Sequence, residues 1–209
     1  MSHSHGGVRQ ERKQKTRQAL MDAALRLLED QGLSSLGLRE VTRAVDMAPT
    51  AFYRHFRDTA DLGVALVGQA LGELHGMVLD ALADTVSAEE RIDGAVEVIA
   101  RHVRAYPAHV RFIARERHGG VRLVREAIAA ELRRFGDEVA SALAAQPASE
   151  GWSEEDLGML AGVYVDHMVM TASAFLDATR EGPGAPERVA SEARRRLRLI
   201  SLGRRHWLD

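Results

Sequence analysis

Apolar residues in this chain recur at three- and four-residue intervals, and β-branched runs are few, so helix is expected almost throughout. Residues 16–31 place Leu20, Ala23, Ala24, Leu27 and Leu28 on one stripe, and Gly32 supplies a stop. A short helix is expected over 38–45, with Leu38, Val41 and Val45 facing inward. Asp46-Met47-Ala48 reads as a tight turn. Pro49 then suits the start of a helix over 50–56, where its missing N–H is not needed. A long helix is expected over 59–85.

The rest divides into five more helices. Ser87-Ala88-Glu89-Glu90 is a capping-box start for a helix that reaches Tyr106 and is stopped by Pro107. Residues 107–118 form a short helix ended by Gly119-Gly120, and 121–145 a long one with Leu123, Ile128, Leu132, Phe135, Val139 and Leu143 on its buried side. Ser153-Glu154-Glu155-Asp156 starts a helix to about Thr179, and a last helix covers 187–206. The expected architecture is all-α, with about nine helices. Residues 1–8 are set outside the fold as a disordered tail or tag remnant.

Charge separates the two ends. Residues 1–57 hold ten Lys and Arg against six Asp and Glu, whereas 58–209 hold 18 against 24. The net of −2 therefore hides a basic end on an acidic body, as expected where only one end meets a polyanion. Without cysteine, disulfide and thiolate chemistry are excluded, and a reducing cytoplasm is the expected home. No uninterrupted apolar run approaches the roughly 18 residues that cross a bilayer, so no membrane partner is expected. No nucleophile–base pair or phosphate loop stands out, and the nine histidines show no coordination spacing; neither an enzyme, a metal nor a cofactor is expected.

The most informative stretch is Leu38 to Phe56. Two short helices joined by a three- or four-residue turn have the size that lets the second lie in a major groove. Leu38, Val41, Val45, Phe52 and Phe56 can hold the pair against the first helix. Thr42, Arg43, Thr50, Tyr53, Arg54 and His55 are left over, all of them hydrogen-bond donors. This segment, ending in Tyr53-Arg54-His55-Phe56, resembles the DNA-binding domain of the TetR family. The resemblance is specific over about residues 12–67 and architectural beyond them. It implies a three-helix helix-turn-helix domain over 9–57 and a ligand-binding and dimerisation domain over 58–209. It also implies a cytoplasmic bacterial repressor, nucleoid-associated when bound to a pseudo-palindromic operator. Thr42, Tyr53 and His55 would grip phosphates, while Thr50, Ala51 and Arg54 would face the groove, with Arg39, Arg43 and Pro49 completing the DNA-binding set. Thr59 stands where many members carry a phosphate-binding Lys, a role Arg57 could take over.

A finer similarity joins 35–41, 48–58 and 61–63 with Phe112-Ile113-Ala114-Arg115-Glu116-Arg117 and Arg198-Leu199-Ile200-Ser201-Leu202-Gly203. These segments look like the subgroup that represses unsaturated fatty-acid synthesis, which implies long-chain acyl-CoA or acyl carrier protein thioesters as effectors. Met77, Ile99, Val103, Phe112, Met168 and Phe175 are candidate cavity residues, since flexible methionines suit an alkyl chain. Arg115 or Arg117 would meet an anionic head or bridge to the DNA-binding domain. The alternative is a repressor of efflux or catabolic genes that senses another small apolar ligand. A homodimer is expected through the last two helices. Its stripes would be Leu157, Leu160, Ala161, Tyr164, Val165 and Met168 on the first, and Val189, Ala193, Leu197 and Ile200 on the second.

Overall fold

The computed structural model describes residues 4–83 and 87–207. Among them nine α-helices follow one another: α1 (Ser4–Leu27), α2 (Leu38–Ala44), α3 (Pro49–Phe52), α4 (Thr59–Ala83), α5 (Ala88–Ala105), α6 (Pro107–Glu116), α7 (Arg122–Ala144), α8 (Glu154–Glu181) and α9 (Ala185–Arg205). Short 3-10 turns at Leu33–Ser35 and Pro147–Ser149 fill two stretches between them. The all-α expectation is met.

Local chemistry explains most boundaries. Ser87 Oγ accepts the Glu90 N–H while Glu90 reaches back to the Ser87 N–H, both at 3.1 Å, so α5 starts with a closed capping box. Ser153 caps α8 through the Asp156 N–H at 3.1 Å. Asp58 accepts the Asp61 N–H at 2.8 Å and starts α4. The expected end of that helix at Thr85 lies outside the described residues. Two expectations are corrected. Ser4–Val8 continues α1 instead of forming a tail, with residues 1–3 outside the description. Leu123, expected on the buried side of α7, is exposed because the helix turns its neighbour Val124, in register with Ile128, into the core instead.

Two apolar clusters hold the chain together. The first joins Leu20, Ala24 and Leu28 of α1 to Val41, Phe52 and Phe56, then runs through Leu62 and Leu66 of α4 to Phe112, Ile113, Val124 and Ile128. It crosses residue 57 without a break, so the small N-terminal bundle shares its core with α4, α6 and α7. Packing is tight at Gly63, where a Cβ would stand 2.5 Å from Leu33 Cδ2 and 2.8 Å from Val124 Cγ2. The second cluster lies between α5, α7, α8 and α9 and includes Val96, Ile99, Phe135, Val139, Leu160, Val165 and Leu197.

α8 is apolar on more than its core side. It contains a stretch long and apolar enough, by length and composition, to cross a membrane, and 44% of that stretch is buried within the fold. An uninterrupted apolar run is absent from the sequence, but the hydropathy of this core helix, averaged along its length, is that of a spanning segment. The stripes expected to form a dimer face need correction too. Leu157, Leu160, Ala161, Val165, Met168, Ala193 and Leu197 are buried in the chain's own core. Met159, Val163 and Met170 of α8 and Leu199 and Leu202 of α9 are the apolar residues that face outward.

Candidate nucleic-acid interface and effector cavities

The presentation of α3 starts from its two phenylalanines. Phe52 and Phe56 are fully buried with ring centroids 5.5 Å apart, which anchors both ends of the segment 52–56 in the core. Helical geometry ends at Phe52, so α3 is one turn and not the expected two. His55 N–H still bonds the Phe52 carbonyl at 2.8 Å, and Phe56 N–H bonds it at 3.1 Å, giving a tightened final turn. The reversal before it depends on Asp46, whose φ of 51° is left-handed, a conformation Asp tolerates better than most residues.

With the phenylalanines turned inward, the opposite side is polar and open. Tyr53 is 62% exposed, and Arg39, Arg43, Pro49, Thr50 and Arg54 are exposed with it. Ala51 and His55 are half-buried. Thr42 does not join them. It is 1% exposed, and its hydroxyl donates to the Leu38 and Arg39 carbonyls at 3.1 and 3.3 Å, so a phosphate cannot reach it here. Burial pulls the His55 pKa below the usual value, helped by the charges of Lys13, Arg17 and Arg54. Arg17, absent from the sequence-based set, is a structural strut. Its Nη1 donates to the His55 carbonyl at 2.7 Å, and its guanidinium lies 4.1 Å from the centre of the Phe56 ring. Arg57 is engaged by Asp61, through its N–H at 2.9 Å and its guanidinium at 3.1 Å.

α6 grips the end of α1 with three charged side chains. Arg115 Nη1 donates to the carbonyls of Leu28 (2.8 Å) and Gln31 (2.6 Å), and Nη2 to that of Glu29 (3.3 Å). These are the carbonyls a helix C-terminus leaves without partners. Glu116, 2% exposed, accepts the Leu33 N–H at 2.9 Å, and Arg111 pairs with Glu29 at 3.5 Å. Of the two roles open to Arg115, the bridging one is therefore seen, and Arg115 lines neither body cavity.

Among the described residues, two cavities in the body have an apolar lining suited to an effector. One, of about 230 Å³, lies at the end remote from α3, among Val78, Ile92, Leu143, Met168 and Leu197, with Arg91, Arg204 and Arg205 at its border. The other, of about 50 Å³, lies between α4, α5, α6, α7 and α8 and is walled by Leu74, Ile99, Ile113, Phe135 and Met168. His75 lines it at 5% exposure, stacked 4.5 Å from the Phe135 ring with neither ring nitrogen hydrogen-bonded. Burial is the main cause of its lowered pKa.

Residues 20–66 match the sequence model of the bacterial regulatory proteins of the tetR family. This stretch is thus similar to the DNA-binding domain of that family. Solved structures of similar fold span nearly the whole chain. The fatty acid degradation regulator FadR from Bacillus halodurans is 13% identical, with 87% of this chain and 93% of that one covered at a TM-score of 0.70. FadR from Bacillus subtilis, in complex with stearoyl-CoA, is 12% identical over 88% and 96%, also at 0.70. AibR, in complex with isovaleryl coenzyme A and operator DNA, is 19% identical over 85% and 95% at 0.64. The chain thus has a TetR-like fold, with an N-terminal DNA-binding domain and a C-terminal helical domain.

In this TetR-like frame the candidate cavity residues separate. Ile99 borders the smaller cavity and Met168 borders both. Met77, Val103, Phe112 and Phe175 line neither; the last three are core residues with their side chains committed to packing. Sequence reasoning missed His75, Arg91 and Arg204. A signal for Arg204 was present: it continues the inward stripe of buried Ala193 and Leu197 and half-buried Ile200 at helical spacing.

Proposed function

We propose that this TetR-type protein is a homodimeric transcriptional repressor whose operator affinity responds to a long-chain acyl-CoA or acyl carrier protein thioester held in the helical body. The observation that carries the DNA-reading half is the open face of Arg39, Arg43, Thr50, Tyr53 and Arg54, which the buried Phe52 and Phe56 hold outward. Phosphate and base-edge recognition both need such donors on a rigid support. The acyl half is supported by the two cavities meeting at flexible Met168 and by the acyl-CoA ligands of FadR and AibR. Met159, Val163 and Met170 with Leu199 and Leu202 supply the apolar face that a twin chain would cover.

Effector and operator communicate through α6. A ligand that binds two arrangements of the body unequally shifts the population between them. Arg111, Arg115 and Glu116 transmit that choice to the end of α1 and the turn at Leu33. The test is a salt-dependent mobility shift on DNA upstream of the protein's own coding region, with stearoyl-CoA and oleoyl-CoA added. Specific binding that changes with either thioester is the expected result. Specific binding indifferent to both would discard the acyl reading and leave the efflux or catabolic alternative.

A further inference from the structure

A cation stands where the buried stripe of α9 would continue with an apolar residue. Arg204 is 8% exposed and its guanidinium has only neutral partners among the described residues: Nη1 donates to Gln146 Oε1 at 2.9 Å, and Nη2 to the Leu143 carbonyl at 3.3 Å and to Ser149 Oγ. Its Nε has no acceptor. No carboxylate among the described residues lies within ion-pair distance of it. The C-terminus of α7 contributes partial negative charge at Leu143, which relieves part of the charge but not all of it. A buried cation lacking a counter-charge is strongly unfavourable, and an anion is the group that relieves it.

The surroundings admit one. Arg204 borders the larger cavity, and so do Arg91 of α5 and Arg205 beside it, while no acidic side chain is among the described lining residues. Beyond the arginines the wall turns apolar, through Ile92 and Leu197 to Met168. The volume of about 230 Å³ exceeds the ~150 Å³ of an apolar cavity that accepts benzene, so an alkyl segment fits. Met168 also borders the smaller cavity, and a methionine can swing aside to let a longer chain through.

We propose that this cavity is the head-group site for a single-chain amphiphile with an anionic head, the head on Arg204 flanked by Arg91 and Arg205 and the alkyl chain running past Leu197 toward Met168. The proposal rests on the effector reading above and states which end of the ligand the remote end of the body takes. The shared chemistry is an anion on an alkyl chain; its source is the carboxylate of a free fatty acid or the phosphates of a coenzyme A thioester.

Calorimetric titration of the full-length, DNA-free protein with decanoate, decanoyl-CoA and 1-decanol tests it. At least one of the two anions should bind about ten-fold or more tightly than the neutral alcohol, the range of a charge-assisted contact. The tighter anion identifies the source. Arg204→Gln should abolish the preference and Arg91→Gln should reduce it. The proposal is overturned if decanol binds as tightly as both anions, if none of the three binds, or if Arg204→Gln keeps the preference. Should Arg204→Gln not fold, as read by circular dichroism, an unchanged preference in Arg91→Gln overturns it. Mobility shifts on the same proteins separate the two readings. An anion preference with unchanged operator affinity sinks the effector role alone. An operator response to acyl-CoA, with wild-type binding in both variants, sinks this site alone.

Discussion

Replacing Glu116 with alanine should loosen the joint between α6 and the DNA-reading domain, by an amount the structure sets. The lost carboxylate is the acceptor for the Leu33 N–H at 2.9 Å, and both residues are buried, so water does not readily replace it. An unmet buried donor costs about 1–3 kcal/mol. The truncation leaves space beside Gly119, where a Cβ would otherwise collide with the Glu116 carboxylate, and partial collapse there keeps the additional loss small. Taking about 2 kcal/mol, a chain of 209 residues should melt roughly 4–8 °C lower. Glu116→Gln keeps an oxygen at the same reach and should lose less than half as much. Far-ultraviolet circular dichroism melts at one fixed protein concentration measure this, since any dimer makes the midpoint concentration-dependent. An alanine variant melting within about 1 °C of the parent, or a glutamine variant falling as far as alanine, would refute the reasoning.

Three further outcomes are expected. Arg54→Ala, on the exposed side of the reading segment, should lower operator affinity by about 1–3 kcal/mol and relax base preference at one position, whereas Arg43→Ala should weaken all sequences alike and reduce the salt slope by about one; mobility shifts across salt concentrations separate them. Stability should be level above about pH 6.5 and fall below it, because burial lowers the folded pKa of His75, and likewise of His55 and His167, so the unfolded chain takes the proton first. His75 adds at most about 1.4 kcal/mol per pH unit to that limb, so urea midpoints for His75→Phe should decline less between pH 7.5 and 5.5 than those of the parent, and an equal decline would contradict the assignment. Asp61 acts in a lower window: its pKa is lowered chiefly by the Arg57 N–H, so its contribution is present above 3.8 and lost on further acidification. Val163→Asp should convert the proposed dimer to monomer in sedimentation without lowering helix content, since the residue faces outward; an unchanged sedimentation coefficient would remove this face from the proposed dimer.

Short-range chemistry was legible from the chain alone. Ser87, Ser153 and Pro107 act within one helical turn, so the starts of α5, α6 and α8 could be read without knowing what those helices touch. The inward direction of Phe52 and Phe56, and with it the outward direction of Tyr53 and Arg54, also followed from spacing. Periodicity failed where the deciding partner is distant in sequence. It shows that a face of α8 is apolar, but Leu160 and Val165 face the chain's own core while Val163 and Met170 face outward, and only the packing of α7 and α9 against α8 separates them. Thr42 looked available because its hydroxyl could equally turn outward; burial against the first helix left it the Leu38 carbonyl. Arg204 was one of many cations until the fold buried it beside a cavity, and the two roles open to Arg115 separated only when packing set it against the carbonyls ending α1. Helices and caps arise from neighbours along the chain, whereas a charge acquires its role from the groups that tertiary packing sets around it after removing water.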